Sequence, residues 1–249
     1  MLSGMKGKRG TLFRIIPAID LKDGKVVRLR QGKEDEITVK LDNPIEIAEM
    51  WVAKGVKALH IIDLDGAFKG KLMHEDLIKE IRRRVDVEIQ VGGGIRDIAT
   101  AEGLLSFGID RVILGTIAVS KVEEVKKLAK KYPGRVMIAV DAKKDKVVIK
   151  GWKVSTKYTP LEIAKIYEDC EVSLLYTNVD IEGLISGVVI EKIKRLVENT
   201  SLPVYVAGGI ATKEDVIKIK EVGAIGVVIG SALYLNKLKL EDLLELEND

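Results

Sequence analysis

Cysteine is all but missing from this 249-residue sequence: Cys170 stands alone, and only two histidines, His60 and His74, accompany it. No internal disulfide can form and no Cys/His set offers a structural zinc site, so a disulfide-stapled secreted scaffold and a zinc module are both excluded. A reducing cytoplasm is the compartment this fits. Aromatic residues make up only 4% of the chain, which leaves the core to aliphatic side chains. No apolar run approaches the roughly 18 residues that span a bilayer. The first fourteen residues, MLSGMKGKRGTLFR, are basic but lack the apolar stretch of about 7–15 residues that a secretory signal requires. They read as a flexible N-terminal extension (1–14) ahead of one folded unit (15–249). A block of like charge is also lacking: 41 Lys and Arg against 38 Asp and Glu leave a net charge of +3, with the signs interspersed, which excludes a nucleic-acid footprint. Glutamine occurs only at Gln31 and Gln90, a bias shared with heat-adapted proteins.

What is present is a rhythm. Short aliphatic runs alternate with amphipathic segments, the pattern of parallel strands covered by helices. Eight strands are predicted, at Arg14–Asp20, Ala58–Asp63, Val87–Val91, Arg111–Leu114, Val136–Asp141, Ser173–Thr177, Val204–Ala207 and Gly226–Ile229. Helices are predicted at Pro44–Ala53, His74–Arg84, Asp97–Phe107, Ser120–Lys131, Pro160–Glu168, Val189–Glu198 and Thr212–Glu221, with Asp97, Ser120 and Thr212 as N-caps. Eight such units in about 250 residues give a single (β/α)8 barrel.

The strongest internal signal is a repeat. VGGGIRDIATAEGLLSFGIDRVILGTIAV from Val91 aligns without a gap on VAGGIATKEDVIKIKEVGAIGVVIGSALY from Val206, an offset of 206 − 91 = 115. Gly93 falls on Gly208, Gly94 on Gly209, Gly115 on Gly230 and Thr116 on Ser231. The strands ending PAID (Asp20) and AVD (Asp141) echo each other in the same way, so the barrel is expected to consist of two half-barrels.

Glycines directly after a strand let the backbone approach a ligand, and free N–H groups at the next helix start bind anions. Gly92, Gly93 and Gly94 with Gly115 and Thr116 are expected to form one phosphate cradle, and Gly208 and Gly209 with Gly230 and Ser231 the other. Arg96, after GGGI, is placed to meet an anion. Cradles four strands apart face each other across a barrel mouth, which implies an elongated ligand with a phosphate at each end. Its centre would lie between Asp20 and Asp141, two carboxylates able to divide acid and base roles, with Thr177 ending the sixth strand beside them. His60 and Asp63 in LHIIDLDGA point to opposite faces of a strand; Asp63, at the strand's end, is taken as the member facing the mouth and His60 as the more ordinary core histidine. Trp152, in the long segment after the fifth strand, is available to stack on a heterocycle. No metal set is present.

PAIDLKDGKVVRLRQG, HIIDLDGA, QVGGGIR, VDAK with a downstream GW, YTN followed by EG, AGGI and IGSAL together resemble the barrel isomerase family of histidine biosynthesis, from about Ile15 to Leu244. That resemblance implies an Amadori rearrangement of a bisphosphorylated aminoaldose ribotide to its ketose, without metal or cofactor. It also implies that Asp20 and Asp141 are the catalytic carboxylates and Thr177 their assistant. Relatives often carry Asp in an RDG or KDG run after strand six, where this chain has Ile181-Glu182-Gly183, so a longer carboxylate stands at that place. The related cyclase barrel resembles the chain less: a catalytic lysine follows its first strand, where this chain has Arg28 in VVRLRQG. An isomerase that also accepts phosphoribosyl anthranilate, and a catalytically silent phosphosugar-binding barrel, are the other readings. No apolar face marks an oligomer interface, so a monomer without nucleic-acid or membrane partners is expected.

Overall fold

The computed structural model describes residues 12–247. Residues 1–11 of the expected N-terminal extension therefore lie outside the described residues.

Strand β1 (Arg14–Lys22) turns at Asp23–Gly24 into β2 (Lys25–Leu29), which pairs with β3 (Ile37–Leu41) and leads to α1 (Pro44–Ala53). Next come β4 (Ala58–Asp63), the short α2 (Leu64–Lys69), α3 (Glu75–Arg84), β5 (Glu88–Gly92), α4 (Ile98–Phe107) and β6 (Arg111–Leu114). A one-turn helix, α5 (Thr116–Ser120), precedes α6 (Val122–Lys131). The second half opens with β7 (Val136–Lys143), which turns into β8 (Lys146–Ile149) and β9 (Val154–Ser155) before α7 (Pro160–Ile166) and β10 (Val172–Asn178). The chain closes with α8 (Ile190–Glu198), β11 (Val204–Ala207), α9 (Lys213–Glu221), β12 (Gly226–Ile229), α10 (Ser231–Tyr234) and α11 (Leu240–Leu244).

Eight of these strands pair in parallel in the order β1-β4-β5-β6-β7-β10-β11-β12, and β12 returns to β1. The ring is closed, leaving no edge among these strands, and it is the expected (β/α)8 barrel. All eight predicted strands are present. β2, β3, β8 and β9 were not predicted; they form hairpins above the mouth and carry much of the site. Ser120 does not cap a helix from 120 to 131: it ends α5, where its hydroxyl donates to the Thr116 carbonyl, and α6 starts separately after Lys121. Thr212 does cap α9, in a reciprocal capping box with Asp215.

Alternation along the strands sorts the core into two layers. Ile15, Ile19, Leu59, Ile61, Ile138, Val140, Leu174 and Tyr176 point outward beneath the helices. Ile16, Ala18, Ala58, Met137, Leu175 and Val228 fill the barrel. The same parity turns Asp20, His60, Asp141 and Thr177 inward. Ile138 is fully buried between barrel and helices, so Ile138→Ala is expected to cost about 2–5 kcal/mol by cavity formation. Thr212→Ala is expected to cost about 1 kcal/mol for the lost cap. Denaturant unfolding of both variants checks this, and equal losses would contradict it.

Candidate active site

One cavity of about 220 Å³ opens at the C-terminal ends of the barrel strands. Its lining includes Asp20, Arg28, His60, Gly92, Gly93, Gly94, Arg96, Gly115, Thr116, Asp141, Trp152, Thr177, Glu182, Gly208, Gly209, Gly230 and Ser231. Every residue singled out from the sequence as a site candidate is thus in one place, except Asp63.

The two cradles are built alike. Gly93 and Gly94 have φ of 91° and 77°, and Gly208 and Gly209 have φ of 91° and 76°. At Gly93, Gly94 and Gly209 side chains are excluded by backbone as well as by φ: a Cβ on Gly93 would lie 2.1 Å from the Asp63 carbonyl oxygen, while at Gly208 the closest atom is Glu182 Oε2 at 2.9 Å. Gly115 and Gly230 each precede a short helix, α5 or α10, whose first N–H groups have no intrahelical acceptor. Beside the first cradle, Arg96 donates to the Thr116 hydroxyl and, at 3.1 Å, to the Ala67 carbonyl. At the second, the Arg28 guanidinium lies flat on Gly230, where a Cβ would fall 2.1 Å from Nη2.

The repeat also runs through the mouth hairpins. DLKDGKVVR (20–28) aligns on DAKKDKVVI (141–149) at an offset of 141 − 20 = 121, and the strand registers agree: Leu21 pairs Val26 as Ala142 pairs Val147. Both turns use two left-handed residues, Asp23 and Gly24 in one and Lys144 and Asp145 in the other. The aligned residues diverge at one chemically decisive position, where Arg28 has Ile149 as its counterpart.

That divergence makes the two aspartates unlike. Arg28 donates to Asp20 at 2.6 Å and to Glu182 at 3.2 Å, with Ser231 at 3.5 Å from its Nε. Asp141 receives the Trp152 indole N–H at 2.9 Å and a hydrogen bond from Thr177, its neighbour on β10. Burial pushes the Asp20 carboxyl above its ordinary range against the pull of Arg28. Burial likewise raises Asp141, opposed only by neutral donors. Glu182 is raised by burial, opposed by Arg28, with Asp20 and Asp141 adding repulsion.

Comparison with known proteins settles the lineage: a family model described as "Histidine biosynthesis protein" matches residues 14–239. The chain belongs to the histidine biosynthesis protein family. A relative from Archaeoglobus fulgidus is 58% identical over 236 residues, 95% of this chain and 98% of that one. One from Methanococcus maripaludis is 49% identical, covering 93% of this chain and 98% of its own. A third, from Persephonella marina, is 42% identical, covering 92% and 97%. All three carry the name 1-(5-phosphoribosyl)-5-((5-phosphoribosylamino)methylideneamino)imidazole-4-carboxamide isomerase.

Within the family's matched span, one assignment from the sequence is reversed. Asp63 does not face the mouth. It is fully buried, caps α2 through Gly66 N–H at 2.8 Å, and accepts from the His74 backbone at 2.8 Å, with His74 Nδ1 2.9 Å away. Strand parity explains this: His60 points into the barrel, so a residue three further on points out. His60 instead lines the cavity, hydrogen-bonded to Gln90 and held neutral because burial and then Arg28 push it down to about 3.

Sequence reasoning missed Gly32, Phe68, Lys150 and Ile185, which also line the mouth. Gly32 lies in the loop between β2 and β3, and Lys150 in the loop between β8 and β9. The signals were there, in the Asp23-Gly24 dipeptide and in the alternating runs KVVRL, ITVKL and KVVI. Replacing Asp63 by Ala is expected to cost more than about 3 kcal/mol, because several buried donors lose their acceptor. Denaturation with and without inorganic phosphate checks this; weakened phosphate affinity at unchanged stability would return Asp63 to the mouth.

Proposed function

We propose that the protein isomerises the aminoaldose ribotide named for its relatives to the corresponding aminoketose, by acid–base chemistry from its own side chains. The observation that carries the reading is the pair Asp20 and Asp141, on opposite strands of the ring, set between two matched anion cradles. A substrate with a phosphate at each end would hold its reacting sugar between those carboxylates, and fixing both ends supplies the orientation on which such catalysis depends.

In the reaction as proposed, Asp141 gives a proton to the furanose ring oxygen and the C–O bond of the aminal opens to an imine. Asp20 then removes the proton from C2, and the resulting enolamine tautomerises to the ketone with a proton added at C1. The sum is an isomerisation, with no net gain or loss of electrons. Supporting this division of roles is the Arg28/Ile149 break in the repeat. A guanidinium 2.6 Å from Asp20 favours its charged, basic form, whereas Asp141 is surrounded by neutral donors that tolerate the protonated acid. Thr177 orients the sugar, and Trp152, at the edge of the mouth, offers a face for the imidazole.

The test is turnover of that ribotide by the purified protein. No turnover, with the fold intact, overturns the proposal. A bell-shaped pH–rate profile is expected: activity falls as pH drops and Asp20 takes up a proton, and falls as pH rises and Asp141 loses one. Asp20→Asn should lose the acid limb and Asp141→Asn the alkaline limb, each lowering kcat by about 10²–10⁴-fold.

Stability should move the other way. A carboxyl whose folded pKa is raised contributes stability below its unfolded pKa and loses it as pH rises through the folded value. Once pH rises through its folded value, the buried Asp141 charge is therefore a liability, and above that pH Asp141→Asn, which cannot ionise, is expected to melt at or above the wild-type temperature. A clear fall in Tm would contradict this.

A further inference from the structure

We infer that Gly32 is a positioning residue for the reaction: it forms the notch that lets the Trp152 indole close across the mouth onto Asp141. The inference rests on the reading of Asp141 as the acid, and concerns what holds that acid's donor in place.

Gly32 lies in the loop between β2 and β3 and Trp152 in the loop between β8 and β9, so they approach from opposite sides of the barrel. A Cβ on Gly32 would fall 2.5 Å from Cε3 and 2.6 Å from Cζ3 of the indole. Any side chain at 32 therefore displaces the ring. On the far side the indole N–H reaches Asp141 Oδ2 at 2.9 Å, so the ring spans the gap between the notch and the carboxylate. The chain pays for this pose in backbone strain, since Lys150 and Trp152, on either side of Gly151, stand at positive φ of 56° and 65°. Two contacts hold the segment there: Lys150 N–H donates to the Thr116 hydroxyl at 3.1 Å, and Lys153 lies 3.6 Å from Glu34.

The notch is itself fixed from a third direction. Gln31 N–H donates to the Glu182 carbonyl at 3.1 Å, and its side-chain amide donates to the Asp180 carbonyl at 3.0 Å. Gly183 packs so closely on this segment that a Cβ there would lie 2.6 Å from the Leu29 carbonyl oxygen. Gly32 is thus the point through which the loop bearing Glu182 and the loop bearing Trp152 are held relative to each other.

The sequence contains two tryptophans, so a Trp51→Phe background makes Trp152 the sole indole reporter. In it, Gly32→Ala is expected to shift Trp152 emission to the red and to lower kcat/KM about tenfold, mostly through kcat. Gly24→Ala is the control for backbone strain: Gly24 has φ 71° against 67° at Gly32, but nothing lies within 4 Å of its Cβ position. It should change kcat/KM less than about twofold and leave the emission unshifted. Gly32→Asn, whose side chain tolerates left-handed backbone, should reproduce the Gly32→Ala effects and keeps the test open if the alanine variant does not fold. In a Trp152→Ala background, Gly32→Ala should cost less than about twofold, since coupled residues are non-additive. Unshifted emission in both Gly32 variants, or an equal loss with and without the indole, overturns the inference. Should Asp141→Asn prove fully active while the emission shift persists, the acid assignment fails and the notch stands.

Discussion

Arg28 is the one buried cation among the described residues, and Asp20 and Glu182 are arranged against it. Its guanidinium is held by Asp20 and Glu182, rests on the backbone of Gly230 and comes within 3.5 Å of Ser231. Removing one partner from such a buried pair commonly costs about 3–5 kcal/mol, because the remaining charge is left unpaired in a low dielectric. Three raised carboxylates, only two of them against the cation, cannot all be ionised cheaply, so the proton left among them goes where positive charge is furthest away. On the proposed mechanism that place is Asp141, whose neighbours donate hydrogen bonds without carrying charge. Arg28 thereby affects both ends of the chemistry: it favours the charged form of Asp20 directly, and it leaves Asp141 the easier of the two to keep protonated.

Duplication explains why this asymmetry needs so little sequence. Each half supplies a strand ending in aspartate, a hairpin with a left-handed two-residue turn, and a glycine cradle, and the two copies agree to within a degree at the paired glycines. Two identical aspartates in identical surroundings would share one proton without assigned roles. Exchanges around them remove that degeneracy: a guanidinium against a branched aliphatic at 28 and 149, and Thr177 beside Asp141 where Ile62 lies beside Asp20. The first cradle differs from the second by a separate exchange, Arg96 against Ala211: Arg96 binds a hydroxyl and a carbonyl, while Arg28 at the second is already bonded to two carboxylates.

The barrel itself was legible because its strands are buried on both sides and read as continuous aliphatic runs, which helices of amphipathic period interrupt. The cradles were legible because the repeat doubled a signal that is weak when single. Asp63 was assigned to the wrong face, whereas His60 is the buried, hydrogen-bonded histidine expected and also lines the cavity. Alternation gives their opposition but not which face is inside, and a carboxylate at a strand end looks catalytic whether it faces a cavity or gathers backbone donors as Asp63 does. The hairpins β2–β3 and β8–β9 were passed over because their strands are short and partly exposed. Their only strong marks are turn residues and alternation. Gly32 and the pose of Trp152 lie further still from sequence, since they depend on two loops meeting across the mouth.

What the glycines do for the site is best seen in what they spare it. An anion held by backbone N–H groups is held by donors that do not titrate, so on the proposed reading the grip on the two phosphates stays constant through the range in which Asp20 and Asp141 exchange protons. Had lysines formed both cradles, their charge would have pulled the neighbouring carboxyls down and erased the elevation that burial gives them. On that reading the reacting centre sits between two dianionic groups and still keeps one carboxyl protonated, because the cation at the second cradle, Arg28, is bonded to Asp20 and Glu182 and not to Asp141. On the proposed reading, anchorage by backbone and protonation set by burial are separable, which lets one cradle serve twice on either side of unlike aspartates.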